Sequence, residues 1–172
     1  MPKTWQILLS FLIVIAIIVA DQASKVIAYR ELAGSPPVLL LGGIVRFEYC
    51  ENAGGLLGLG AGLPEPIRFL FMTAVVAVLL VVGLILLLRG EHFSPPQAII
   101  LALGVGGGIS NLIDRLRNQG QVIDYVSIGI GPLRTGIFNL ADVAVMAGLF
   151  LLVFMSLRSE TPPQSPAADS RQ

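Results

Sequence analysis

Four long apolar stretches punctuate the chain, at about Trp5 to Ala28, Ile67 to Leu88, Gln97 to Ile113 and Leu140 to Leu157. At about 1.5 Å of rise per helical residue, each crosses or nearly crosses the roughly 30 Å of hydrocarbon in a bilayer. The pattern predicts four transmembrane helices. After the first stretch the period changes. Val45, Phe47 and Tyr49 alternate with Arg46, Glu48 and Cys50, which predicts a short strand with one apolar and one polar face. Pro36 and Pro37 precede this strand, and Gly42 and Gly43 interrupt the run before it. A small hairpin or sheet resting on the membrane surface is therefore expected over about 36–62. The fold class is all-α integral membrane, with four transmembrane helices and a small extracytoplasmic β-sheet between helices 1 and 2. Residues 1–160 form a single polytopic membrane domain in this reading, and 161–172, rich in Pro, Ser and Ala, a disordered tail.

Within this frame some segments carry more information than others. The glycines at 54, 55, 58, 60 and 62 read equally well as backbone open to close approach or as a plain connecting loop. The second span is uniform Val, Leu and Ile, suited to packing and anchoring. The third carries Gly104, Gly106, Gly107 and Gly108, small residues that let helices pack closely in lipid.

The polar positions are not scattered. Threading the four spans in serpentine order puts Asp21 and Lys25, Asn52, Asn111, Asp114 and Arg115, Asp124, and Asn139 and Asp142 at one membrane surface. The turn from Arg89 to Pro96 falls on the other. A charged group near hydrocarbon costs roughly 2.5 to 3.5 kcal/mol, so several at one depth imply a shared task. The rest of the composition removes alternatives. The chain has 172 residues, 55% hydrophobic and 13% charged, with 11 basic and 11 acidic side chains. No basic surface of the kind nucleic acid requires is available. Cys50 is the single cysteine, which rules out an intrachain disulfide and reads as a small hydrophobe. The start of the chain, Lys3 followed by an apolar core from Ile7 to Ala20, lacks an A-x-A pattern before Asp21 and is read as a retained helix. Basic residues favour a cytoplasmic location for the polar loops, since Arg30, Arg46, Arg68, Arg115, Arg117 and Arg134 outnumber Lys3, Arg89, Arg158 and Arg171.

Asp21 and Lys25 lie four apart on one helical face and read as a mutually neutralising ion pair. Asn111, Asp114 and Arg115 share the last turn of the third span, where Asp114 and Arg115 can pin the helix end. Asp124 and Asp142 differ, because neither has a cation at helical spacing. Asp124 sits in a loop among Val122, Ile123, Tyr125 and Val126, and Asp142 between Ala141 and Val143. Desolvation raises the proton affinity of a carboxylate, and two neighbouring carboxyls share one proton. Such a pair supplies an acid and a base at neutral pH, enough to hydrolyse a peptide without metal or covalent intermediate. No Ser or Cys has a convincing partner base, and the single His92 lies in the turn on the opposite side. A proton-coupled carrier would need midplane acids and an internal repeat, neither of which is visible. A membrane scaffold leaves two unpaired carboxyls unexplained.

Five short blocks now carry a resemblance: Asp21-Gln22-Ala23-Ser24-Lys25, Asn52-Ala53-Gly54, Ser110 to Arg115, Val122-Ile123-Asp124-Tyr125 and Phe138 to Asp142. In this order, over Val14 to Phe150, the chain resembles the bacterial lipoprotein signal peptidases, or signal peptidase II. The resemblance implies an aspartyl endopeptidase of the bacterial inner membrane, with both termini cytoplasmic and the site extracytoplasmic, against the charge count. It places the catalytic pair on Asp124 and Asp142, with Asp114 as the rival, and gives supporting or substrate-binding roles to Asp21, Lys25, Asn52, Gly54, Asn111, Asp114, Arg115, Asn139 and Ala141. It implies diacylglyceryl-modified prolipoproteins as substrates, cut on the amino side of the lipid-bearing cysteine. Membrane lipids are the expected partners and a monomer the expected state; Asp and Asn without His would suit only hard cations, so no metal is expected, and no cofactor. Three departures stand out. Ser110 replaces the usual glycine, Val143 a small residue, and Ala-Gly-Gly-Leu-Leu follows Asn52 where Pro-Gly-Ala-Ala-Phe is common.

Overall fold

A computed structural model describes residues 2–55, 60, 62–90 and 93–159. Leu56, Leu57 and Gly58, His92 and the tail at 161–172 lie outside the described residues. Four helices are long and apolar enough to cross a membrane: α1 (Lys3–Leu32), α2 (Glu65–Arg89), α3 (Pro95–Arg117) and α4 (Leu140–Ser159). Their ends follow from local chemistry. A proline lies in the first turn of α2, where its missing N–H has no helical partner to lose. The same helix stops at Gly90, whose φ of 58° is the left-handed geometry that ends a helix. At the start of α3, Ser94 and Gln97 close a capping box.

The second span is less uniform than its composition indicates. Leu70–Val75 forms a π-helical turn, and Thr73 within it is buried. α3 stands between α1, α2 and α4. The apolar core around Val14, Leu87, Ala102 and Val105 is small, and residues such as Leu12, Val19, Leu79 and Phe150 face outward, as hydrocarbon solvent permits. The glycines of α3 allow its close contacts. A Cβ on Gly107 would stand 2.5 Å from the carbonyl oxygen of Ala141, so α4 begins directly against α3 at this point. Gly104, by contrast, has open space beside it.

The sheet is antiparallel, in the order β1 (Val38–Leu40), β2 (Val45–Asn52), β3 (Val122–Ile130) and β4 (Leu133–Arg134). It draws half its strands from between α3 and α4, so Asp124 sits on a strand rather than in a loop. Val122, Asp124 and Ser127 are buried while Ile123 and Tyr125 are half-buried, so both faces of β3 are partly covered and no clean period of two appears in its sequence. Pairing sets Cys50 opposite Asp124, after a bulge between Phe47 and Cys50. The far end of the sheet is held by Arg134, whose guanidinium donates to the carbonyls of Gly43 (2.8 Å), Ile44 (3.2 Å) and Ser127 (3.2 Å).

Candidate active site

One polar network fills the space where α1, α3, α4 and the sheet meet. Its first half is ionic. The Lys25 ammonium lies 2.7 Å from Asp21, 2.8 Å from Asp114 and 2.8 Å from Asn111 Oδ1, and Asp21 is fully buried. The expected pair of Asp21 and Lys25 is thus a triad. Asp114 turns away from its neighbour Arg115, because consecutive helical residues point in different directions, and Arg115 donates instead to the carbonyl of Gly54 at 2.8 Å. Each acid of the triad also ties down a second element. Asp21 Oδ1 accepts the backbone N–H of Ala141 at 2.8 Å, one of the free donors at the start of α4. Asp114 accepts from the backbone N–H of Ile123 at 3.1 Å and from Gln22 at 2.8 Å.

Asp124 and Asp142 form the second half, and amides surround them. Asn139 Nδ2 donates to Asp124 Oδ1 at 2.6 Å, and Asn52 Nδ2 to Asp124 Oδ2 at 2.8 Å. Asn111 Nδ2 donates to Asp142 Oδ1 at 2.9 Å. Asn139 also caps α4. Its Oδ1 accepts the backbone N–H of Asp142 at 2.9 Å, while its own N–H reaches Asp142 Oδ2 at 3.4 Å, so the four residues from Asn139 to Asp142 make a capping box. Phe138 bonds to Val126 and brings Asn139 against β3. Strand β3 is fixed on either side of Asp124 by Asp114 holding the Ile123 N–H and by the Tyr125 hydroxyl donating to Ser24 at 2.8 Å.

Burial pushes the Asp124 carboxyl up to about 6, against the pull of the Asn52 and Asn139 donors. Burial raises the Cys50 thiol as well, with Asp124 opposite it adding to the effect, so this cysteine is a poor nucleophile. Asp142 faces a groove of about 410 Å³ lined by Thr135, Phe138, Val143, Met146, Ala147 and Phe150. Apart from Thr135 and the carboxyl itself, that lining is apolar. Val143, the departure from a small residue, forms part of this wall.

All eleven residues singled out from the sequence fall in or beside this network. Gln22 and Ser110 were not among them. The Ser110 hydroxyl donates to Asp21 Oδ2 at 2.7 Å, and Gln22 bonds both Ser110 and Asp114. Ser110 had helical spacing as its signal, four positions before Asp114 on one face, and Gln22 had only its place between Asp21 and Lys25.

A model of the family described as signal peptidase (SPase) II matches residues 13–158. The chain belongs to the signal peptidase II family. A lipoprotein signal peptidase of Rhodococcus jostii is 32% identical over 155 residues, covering 87% of this chain and 73% of that protein. One from Caldicellulosiruptor bescii is 32% identical over 148 residues, covering 86% and 90%. A bacterial membrane enzyme solved by the in meso method at 2.3 Å resolution shares the fold, with a TM-score of 0.73 at 20% identity over 91% of this chain and 93% of that one. This signal peptidase II is therefore a multi-pass membrane protease that processes the signal peptides of prolipoproteins. The five short blocks that carried the resemblance converge on this buried polar network.

Proposed function

We propose that this signal peptidase II is an aspartyl endopeptidase in which Asp124 and Asp142 activate water. The observation that carries the reading is the contrast within the network. The other two buried acids, Asp21 and Asp114, touch the Lys25 ammonium, whereas Asp124 and Asp142 are held by neutral amides beside an apolar groove. Acids so placed share a proton and so offer one acid and one base. Asp21, Lys25, Asn52, Gly54, Asn111, Asp114, Arg115, Asn139 and Ala141 support the pair.

The substrate is a prolipoprotein whose cysteine carries a diacylglyceryl group, cut on the amino side of that cysteine. Acyl chains held in hydrocarbon would carry the scissile bond to a fixed depth, which supplies the positioning a soluble protease obtains from a cleft. An even number of spans places both termini on one side. With those termini cytoplasmic, the site lies at the outer face of the bacterial inner membrane, where a monomer of one polytopic domain meets its substrate among membrane lipids. Asp124→Asn and Asp142→Asn, purified and assayed on a lipidated precursor, each abolish cleavage while the protein still inserts and folds. Normal processing by either variant rejects the pair.

A further inference from the structure

Three asparagines contact the two carboxyls, and in each the amide orientation is dictated by a group that can only donate. The Lys25 ammonium holds Asn111 Oδ1 at 2.8 Å, the Asp142 backbone N–H holds Asn139 Oδ1 at 2.9 Å, and the Gly54 backbone N–H holds Asn52 Oδ1 at 2.8 Å. An ammonium or a backbone N–H has no lone pair to offer, so none of these amides can turn over. Each must present its Nδ2 to a carboxyl. The count is unequal. Both oxygens of Asp124 receive a short amide donor, at 2.6 and 2.8 Å. Asp142 receives one, on Oδ1 at 2.9 Å, and its Oδ2 has only the 3.4 Å contact from the Asn139 backbone.

We propose that these locked amides divide the labour of the pair: Asp142 carries the shared proton on Oδ2, and Asp124 is the base. Lys25, which touches neither carboxyl, acts as a positioning residue through Asn111. The inference rests on the aspartyl reading above. Donors favour the ionised form of the group they serve, so the doubly served carboxyl is the one that ionises. The other charged or titratable groups around the pair are Lys25 and Asp21 from α1, Arg115 and Asp114 from α3, Cys50 opposite Asp124 on β2, and Tyr125 beside Asp124 on β3. In the forward step, water oxygen bonds to the scissile carbonyl carbon as Asp124 takes one water proton, and the Asp142 Oδ2 proton passes to the carbonyl oxygen. In the collapse of the resulting diol, Asp124 returns its proton to the departing nitrogen as the C–N bond breaks. Asp142 recovers a proton from the hydroxyl that becomes the new carbonyl. The pair ends as it began.

The test is the pH profile of kcat/KM for cleavage of a lipidated precursor, measured on the whole purified enzyme. Asn52→Ala removes a donor from Asp124 only and moves the acid limb up by about one pH unit, leaving the alkaline limb in place. Asn111→Leu removes the donor from Asp142 and moves the alkaline limb up instead. Asn111→Ser gives the same direction should the leucine variant fail to insert. Shifts on the opposite limbs, on both limbs together or on neither overturn the division of labour. Activity in Asp124→Asn or Asp142→Asn overturns the aspartyl reading itself, so the two failures are told apart.

Discussion

The network holds four buried acids in two pairs that solve the same problem differently. Asp21 and Asp114 share one cation, and each of their four oxygens accepts at least one contact, from Lys25 or from the Ala141 N–H, the Ile123 N–H, the Ser110 hydroxyl or the Gln22 amide. Asp124 and Asp142 are given neutral amides and an apolar wall. The first arrangement joins three helices and a strand. The second borders the groove through Asp142 and holds the two carboxyls proposed to react. What separates the two is the reach of one lysine side chain, which leans toward α3 and contacts the second pair only through Asn111.

The comparison is broken most severely by removing that cation. Lys25→Met leaves two buried carboxyls without their shared cation and is expected to cost about 3–5 kcal/mol, read as lost membrane yield and a lowered Tm in detergent. A packing change comes next. Gly107→Val drives side-chain atoms into the Ala141 carbonyl and Val145, displacing the start of α4 and with it Asp142. We expect a loss of about 1–3 kcal/mol in stability together with a fall in kcat. Acid then sharpens the contrast without any mutation. The Asp124 carboxyl sits at about 6 in the folded protein against an ordinary 3.8. Cleavage therefore falls as pH drops through 6. Because the folded form holds this proton more tightly than the unfolded one, the same group makes folding more favourable as pH falls from about 6 to 3.8. Activity and that stability contribution should move in opposite directions, checked by rate assays and thermal melts over the same buffers. The smallest effect belongs to an ion pair outside both sets. Arg46→Ala removes a 2.6 Å contact with Glu48 on the partly exposed sheet, and a change under about 1 kcal/mol in Tm-derived stability is expected.

Much of this was legible in the chain because membrane solvent writes strong signals. Four apolar runs cannot be read as anything but spans, and a carboxylate with no cation at helical spacing, such as Asp142, is conspicuous. Strands β3 and β4 were not legible. Val122 to Ser127 is covered at least in part on both faces, so the alternation that marks a half-buried strand is absent. The triad was half legible. Asp21 and Lys25 declare themselves by their spacing, but the third member comes from a different helix 89 positions later, a distance that no local pattern reports. The orientation of the Asn111 amide was invisible for the same reason, since it is set by Lys25, 86 positions away, whereas Asn52 and Asn139 take theirs from backbone N–H groups two and three residues on. The π-helical turn at Leu70–Val75 had no counterpart in sequence at all.

The groove beside Asp142 opens among outward-facing apolar side chains, Val143 and Phe150 among them. A competing molecule would then enter laterally, after dissolving in the acyl layer, and its local concentration would be its dose in water multiplied by a partition coefficient. Apparent potency would shift with the ratio of detergent or lipid to enzyme. Two compounds with equal contacts in the groove would differ in effect by their solubility in oil.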